Sequence, residues 1–166
     1  MLFREIKENI DLSKIICEQC EDEGIGITID PRIAQNDVLI LKVDDFYNSL
    51  TIEKRPPSPD CFILVQCESG GFKLTIVELK NIDIFTVNDI VQKFKTCLDD
   101  FMTIRFADYF DFDYQKIELI LVSLKESYSR DRGLRASALM SKRFVFRGKR
   151  CMFTPHNPTP TVKPCY

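Results

Sequence analysis

Runs of apolar residues, bounded by glycine, proline or charged residues, divide this chain into its predicted elements. Four runs have the length and the apolar content of buried strands, and they cover residues 38–48, 61–68, 72–81 and 116–125. Residues 86–102 instead repeat apolar side chains three and four positions apart, which predicts an amphipathic helix. Thr86 and Asp89 stand at its start with the spacing of a capping box, Asp replacing the usual Glu.

The remaining segments are patterned less clearly. Residues 2–23 predict a helix broken near Asn9, and Gly24 ends it. Residues 25–35 are ambiguous, because Pro31 interrupts any strand. Residues 51–60 contain three prolines and predict a loop. Residues 132–141 are compatible with a short helix and residues 142–153 with a final strand or two.

This order of elements is α, β, β, β, α, β, followed by a further α and β. It predicts the α/β class, with a mixed central sheet flanked by helices. A chain of 166 residues fits one domain, which we assign to residues 1–153. Residues 154–166 form a Pro-rich C-terminal tail that is expected to be extended or disordered.

Composition narrows the class of protein. Hydrophobic residues make up 45% of the chain and charged residues 29%, which is ordinary for a soluble globular domain. No run approaches the roughly 18 apolar residues of a membrane helix. The first residues carry charge early, which is untypical of a signal peptide. We therefore expect no membrane association.

The seven cysteines are odd in number and scattered, which argues against a disulfide framework. Cys61, Cys67 and Cys97 lie in apolar patterns and are expected to be small buried hydrophobic residues. Cys17 and Cys20 form a single CxxC pair, whereas a zinc site would need four ligands. This cysteine usage fits a reducing, cytoplasmic location best.

Positive charge is concentrated at the C-terminal end of an otherwise acidic chain. Residues 126–166 carry nine Lys or Arg and two Asp or Glu, whereas the whole chain has a net charge of −2. Such a basic extension predicts a surface that faces a polyanion, although a solvated loop and edge strand would look the same. The candidate nucleic-acid-binding residues are Arg130, Arg132, Arg135, Lys142, Arg143, Arg147, Lys149 and Arg150.

Three charged residues stand near one end of the predicted hairpin, namely Asp60, Glu78 and Lys80. A two-residue Gly70-Gly71 turn would set Asp60 against residue 81 and on the face opposite to Glu78. A three-residue turn would set Asp60 across from Lys80, with all three side chains on one face. In the second case two carboxylates could bind one Mg²⁺ or Mn²⁺, and the Lys80 ammonium could orient a water molecule.

Pro59-Asp60, followed by Glu78-Leu79-Lys80 in the next strand, resembles the motif of the PD-(D/E)xK nuclease superfamily. The order of predicted elements over about residues 10–125 also looks like its αβββαβ, restriction-endonuclease-like core. The resemblance implies that Asp60 and Glu78 hold Mg²⁺ or Mn²⁺ and that Lys80 serves the nucleophilic water. It further implies phosphodiester hydrolysis of nucleic acid, DNA rather than RNA, and a possible homodimer.

The same resemblance implies two further positions. An acid from the first helix would be Glu18 or Glu21, between which the sequence does not choose. A polar residue from the second helix would be Gln92 or Lys95, and we assign a catalytic role to Gln92. The Gln-x-x-x-Tyr pattern of some members is absent, because Thr96 occupies the last position.

Two other interpretations stay open. The chain could be a catalytically inactive member of the same fold that binds nucleic acid or a protein partner. It could also be an unrelated mixed α/β protein, in which Asp60 and Glu78 would point to opposite faces of the sheet.

Overall fold

A mixed seven-stranded sheet forms the centre of the protein. The computed structural model describes residues 3–80, 86–123, 137–156 and 159–165. Within them the strand order of this sheet is β1-β4-β5-β6-β7-β9-β8. The strands are β1 (Ile16–Cys17), β4 (Val38–Lys42), β5 (Cys61–Gln66), β6 (Phe72–Lys80), β7 (Tyr114–Ser123), β8 (Phe144–Phe146) and β9 (Lys149–His156). The chain therefore has the predicted α/β class with a mixed sheet.

The strands change direction at the crossover that carries the main helix. β4, β5 and β6 form an antiparallel meander, whereas β7 runs parallel to β6 and β9 runs parallel to β7. The chain between β6 and β7 includes α3 (Val87–Lys95) and a π-helical segment, Thr96–Arg105. Parallel neighbours require such a crossover, because a tight turn can join only antiparallel strands.

The predicted helix at residues 86–102 is confirmed, with a change of geometry in its second half. Thr86 caps α3, and its side-chain oxygen accepts a hydrogen bond from the backbone N–H of Asp89 at 3.1 Å. The apolar stripe is buried against the sheet, where Phe94 and Phe101 have no exposed surface. This face of the sheet and its helical cover form the larger of two hydrophobic clusters.

A three-stranded sheet covers part of the opposite face. It has the order β10-β3-β2, with β2 (Cys20–Asp22), β3 (Ile25–Ile29) and β10 (Thr161–Val162). Buried residues of β3, including Ile25 and Ile27, pack with Val77 and Ile120 of the large sheet in the second cluster. Side chains on alternate positions of β6 thus enter two separate apolar layers, so β6 is buried on both faces.

Two predicted elements near the N-terminus are confirmed only in their first residues. Helix α1 covers only Arg4–Glu8, and the later part of the predicted helix contains strands β1 and β2 instead. The predicted strand 38–48 ends at Lys42, and Val43–Ser49 form helix α2. Asp44 and Asp45 lie in the first turn of α2, where acidic side chains favour a helix start.

The cysteines also differ from the prediction. Cys20 is bonded to Cys61, and Cys67 is bonded to Cys165. Cys17, Cys97 and Cys151 are free. Disulfides are rare in reducing compartments, so this pairing does not support the cysteine argument for a cytoplasmic location.

The C-terminal tail takes part in the fold. β9 continues to residue 156, and β10 pairs in parallel with β3. Cys165 then joins the tail to Cys67 at the end of β5. The tail is extended, as expected. Within residues 154–156 and 159–165, strand pairing and a disulfide attach it to the rest of the domain. The boundary at residue 153 therefore does not separate two structural units.

Across the described ranges, no helix combines the length and the hydropathy that a membrane-spanning segment requires.

Candidate active site

The connection between β5 and β6 sets the position of the charged residues. Gln66 pairs with Phe72, so residues 67–71 form a five-residue hairpin loop instead of either turn considered from the sequence. Within it Cys67 N–H donates to the Gly71 carbonyl at 3.0 Å. Gly71 has a φ of +74°, and a Cβ there would lie 2.8 Å from the Asp113 carbonyl oxygen, so the loop requires glycine at this position.

This register places Asp60 beside Glu78. Cys61 pairs with Val77, so one position further along Asp60 lies across from Glu78. Residues directly opposite each other in antiparallel strands share a face of the sheet. Asp60 Oδ2 accepts a hydrogen bond of 2.7 Å from the backbone N–H of Leu79, which fixes the carboxylate against the end of β6. We call Asp60 and Glu78 the carboxylate pair.

Glu78 is completely buried, on the face of the sheet that α3 covers. Its Oε1 lies 2.6 Å from Lys93 Nζ and 3.2 Å from Lys80 Nζ. Its Oε2 is also buried, and no hydrogen-bond partner for it exists among the residues that the structure describes. One carboxylate oxygen therefore contacts two ammonium groups, while the other is buried beside Asp60 without a hydrogen-bond partner among the described residues.

The carboxylate pair titrates abnormally. Burial, and after it the negative charge of Asp60, raise the pKa of Glu78 to about 7 against the opposing effect of Lys93 and Lys80. Burial also raises the pKa of Asp60, against the hydrogen bond from Leu79 N–H and the charge of Lys93. Two acids that repel each other in a buried site form a place where a cation is stabilised.

Lys93 belongs to this site although the sequence reasoning did not select it. Ile90 and Phe94 of α3 face the sheet and are fully buried, so Lys93 lies at the flank of the buried stripe. From there its ammonium donates to Glu78 Oε1. Burial would lower the pKa of Lys93, but the charge and hydrogen bond of Glu78 outweigh it and raise the pKa. The sequence signal that could have identified Lys93 is its position next to the apolar stripe of the predicted helix.

Gln92 and Lys95 lie in a different place. Both line a groove of about 450 Å³ on the flank of α3 that includes Asn88, Lys142 and Arg143. The structure therefore brings together Asp60, Glu78 and Lys80 of the four residues assigned to catalysis, and it places Gln92 apart from them. The helix contribution to the carboxylate pair comes from Lys93 instead.

The first-helix acids also lie elsewhere than expected, because that helix ends at Glu8. Glu21 lies on β2 and lines a cavity of about 180 Å³ together with Asp44 and Asp60. Glu18 is exposed between β1 and β2 and lines a separate groove. Asp44 accepts hydrogen bonds from Ser58 Oγ at 2.9 Å and from Asn48 Nδ2 at 3.1 Å, so both of its oxygens are already engaged.

The carboxylate pair fits a divalent cation of the hard, oxygen-binding type. Within residues 3–80, 86–123, 137–156 and 159–165, no group of three or more His, Cys, Asp or Glu side chains is arranged to hold a metal ion. Mg²⁺ needs fewer protein ligands, because it keeps several waters and commonly binds one or two carboxylates. The unpartnered Oε2 of Glu78, beside the charge of Asp60, supplies such a position.

The basic residues separate into three groups. Arg130, Arg132 and Arg135 lie outside the described residues. Arg147 and Lys149 pair with Asp111 at 2.6 Å and Asp113 at 3.2 Å. Those acids precede Tyr114, which pairs with Phe72 at the opposite end of β6 from Glu78. At about 3.3 Å per residue, six residues along β6 correspond to roughly 20 Å.

The other described cations are exposed. Lys142 and Arg143 precede β8 and line the groove beside α3. Arg150 is exposed on β9 and pairs in register with Val145 of β8. The described part of the basic C-terminal segment therefore does not form one continuous patch of free charge.

Comparison of the chain with protein-family models, curated proteins and solved structures finds no match.

Proposed function

We propose that this protein is a metal-dependent nuclease that hydrolyses phosphodiester bonds of nucleic acid, DNA rather than RNA. The observation that carries the proposal is the meeting of Asp60 and Glu78 on one face of the sheet, with Lys80 and Lys93 against Glu78. A purely structural ion pair would need neither a second, half-buried acid nor an unpartnered carboxylate oxygen.

Asp60 and Glu78 are the residues that would hold Mg²⁺ or Mn²⁺. When bound there, such a cation supplies Lewis-acid polarisation of the scissile phosphate and activation of water. The chain itself supplies the orientation of both ligands. Leu79 N–H fixes Asp60, and Lys93 holds Oε1 of Glu78, which leaves Oε2 free.

Lys80 is the group to which the motif resemblance assigns the action on water and substrate. Its side chain is 18% exposed, so its ammonium both contacts Glu78 and reaches solvent. An ammonium there can orient the attacking water and stabilise negative charge that develops on a phosphoryl oxygen. Lys93 is a positioning residue, because it acts on the reaction through Glu78.

The topology supports the PD-(D/E)xK resemblance. β4, β5 and β6 form an antiparallel meander, α3 makes the crossover, and β7 returns parallel to β6. This is the βββαβ part of the αβββαβ order, with Asp60 at the start of its second strand and Glu78 and Lys80 near the end of its third. A homodimer and a cytoplasmic location stay predictions from the sequence.

The test is hydrolysis by the purified protein with Mg²⁺ or Mn²⁺ on plasmid, linear, branched and single-stranded DNA and on RNA, with a chelator as the blank. We expect DNA cleavage that Asp60→Asn, Glu78→Gln and Lys80→Gln abolish, while Glu68→Gln in the exposed hairpin loop retains it. A wild-type protein that is folded and inert on every substrate with both metals contradicts the proposal.

A second candidate is an inactive member of the same fold that binds nucleic acid. It is favoured by the contact of two ammonium groups with Glu78, which neutralises a carboxylate that could otherwise bind metal. Titration calorimetry with Mn²⁺ separates the two. Binding that Asp60→Asn removes supports the nuclease, whereas nucleic-acid affinity without any metal binding supports the inactive protein.

A further inference from the structure

Helix α3 carries polar side chains on two flanks, and only one flank belongs to the carboxylate pair. Lys93 reaches Glu78 on the first flank. Asn88, Gln92 and Lys95 follow one another four and three positions apart, so they form a row on the other flank. All three are exposed and line the groove of about 450 Å³. We call it the α3–β8 groove.

The opposite wall of the α3–β8 groove is the start of β8. Lys142 and Arg143 are exposed there, while the next residue, Phe144, is buried and helps to line the groove. The Phe144 ring contacts the ring of Phe94 on α3, with centroids 6.0 Å apart. Because a packed aromatic pair joins the two walls, their polar side chains are held at a fixed separation.

The groove is positively charged without compensation from the residues that line it. Lys95, Lys142 and Arg143 form no ion pair with any described residue, and none of the described acids lines the groove. Arg147 and Lys149, in contrast, are paired with Asp111 and Asp113. Free cations next to neutral amide donors are suited to phosphate and sugar oxygens, which accept hydrogen bonds from both.

The groove lies within reach of the carboxylate pair. β8 is separated from β6 by β9 and β7, which corresponds to three strand spacings. At about 4.8 Å per spacing this is roughly 15 Å across the sheet, and the registers place Phe144 level with Leu74, roughly 13 Å along β6 from Glu78. The two offsets together correspond to roughly 20 Å, or about six nucleotides of one DNA strand at about 3.4 Å each. A single strand of a duplex can therefore contact the groove and the carboxylate pair at once.

We propose that the α3–β8 groove binds the phosphate backbone of the DNA that the carboxylate pair cleaves. Lys95, Lys142 and Arg143 contact phosphates, and Asn88 and Gln92 donate to backbone oxygens. The paired Arg147 and Lys149 make no contribution of comparable size. This inference rests on the proposed nuclease function for the identity of the ligand, and it assigns Gln92 to substrate binding instead of chemistry.

The test is fluorescence anisotropy of a labelled DNA duplex and an RNA duplex of the same sequence, in chelator, across a range of salt concentrations. The groove variant combines Lys95→Gln, Lys142→Gln and Arg143→Gln, and the control variant combines Arg147→Gln and Lys149→Gln. We expect the groove variant to weaken DNA binding at least tenfold and to lower the salt slope by about 2 to 3, since each phosphate contact contributes about 0.9. The control should retain most of the affinity.

The outcomes separate this inference from the proposed function. If the wild-type protein cleaves DNA and the groove variant binds and cleaves DNA equally well, the proposed role of the groove is wrong and the proposed hydrolysis stands. If DNA binding depends on the groove residues but no DNA is cleaved, the proposed hydrolysis is wrong and the proposed role of the groove stands. No DNA binding by the wild type, or tighter binding of RNA through the same residues, overturns the assignment to DNA. Because the five residues are exposed, both variants should keep the wild-type circular dichroism spectrum.

Discussion

Replacing Glu78 by Gln tests the buried acid directly through the pH dependence of stability. The pKa of Glu78 is raised from 4.5 to about 7, chiefly by burial and then by Asp60. Between these two pH values the folded protein keeps a proton that the unfolded chain has released. The stability that this group contributes is therefore fully present below pH 4.5 and is lost as the pH rises through 7.

The size of the effect follows from the shift. A change from 4.5 to about 7 corresponds to about 3 kcal/mol, at roughly 1.4 kcal/mol per pH unit. Solvent screening reduces this free-energy difference only slightly, because the Glu78 side chain is 1% exposed. Glutamine has nearly the same shape and does not titrate, and its carbonyl oxygen can still accept a hydrogen bond from Lys93. Relative to wild type, Glu78→Gln should thus gain about 3 kcal/mol in free energy of unfolding between pH 5 and pH 8.

Urea unfolding of wild type and Glu78→Gln at pH 5, 6, 7 and 8, in chelator, measures this difference. Glu68→Gln is the matched control for the substitution itself, because Glu68 is exposed in the hairpin loop. A difference between wild type and Glu78→Gln that stays constant within about 0.5 kcal/mol over this range would refute the reasoning, and so would a slope of the opposite sign.

Three further predictions concern the fold. Phe94→Ala removes a fully buried ring and should lower the free energy of unfolding, measured with urea, by about 3 to 5 kcal/mol. A substitution at an exposed site should have a smaller effect. Gly71→Ala should destabilise the protein more than Gly70→Ala. Both glycines have positive φ, but only at Gly71 would a Cβ lie 2.8 Å from a carbonyl oxygen. Equal urea midpoints of the two variants would contradict the loop geometry. Opening the Cys67–Cys165 bond with reductant should lower the free energy of unfolding by about 5 kcal/mol. The Cys20→Ser/Cys61→Ser variant isolates this bond, and a urea midpoint that reductant leaves unchanged in that variant would contradict the pairing.

The central strands and α3 could be predicted because their local pattern agrees with their tertiary surroundings. β5, β6 and β7 are apolar runs of strand length that the sheet buries, and α3 has a capped start and an apolar stripe. At the N-terminus the local pattern was misleading. Leu12, Ile15 and Cys20 have helical spacing, but Ile16–Cys17 pairs with β4 and Cys20 bonds to Cys61, contacts that no local pattern specifies.

The candidate site could be predicted in its residue types but not in its pairing. Asp60, Glu78 and Lys80 were selected from the sequence, yet their relative positions depend on a hairpin loop of five residues. That loop is fixed by the approach of Gly71 to the Asp113 carbonyl, which is a contact between residues far apart in the sequence. Lys93 was missed for a related reason, because only the packing angle of α3 decides which of Gln92, Lys93 and Lys95 faces Glu78.

The two disulfides divide the chain into two covalent rings, residues 20–61 and residues 67–165, joined by the five residues of β5 between them. A protease that cuts once inside either ring therefore leaves a single molecule, which keeps its mass apart from one added water until a thiol opens the ring. Cuts before residue 20 or between residues 61 and 67 release separate fragments at once. Limited digestion followed by electrophoresis with and without thiol would thus map the accessible peptide bonds onto this ring structure.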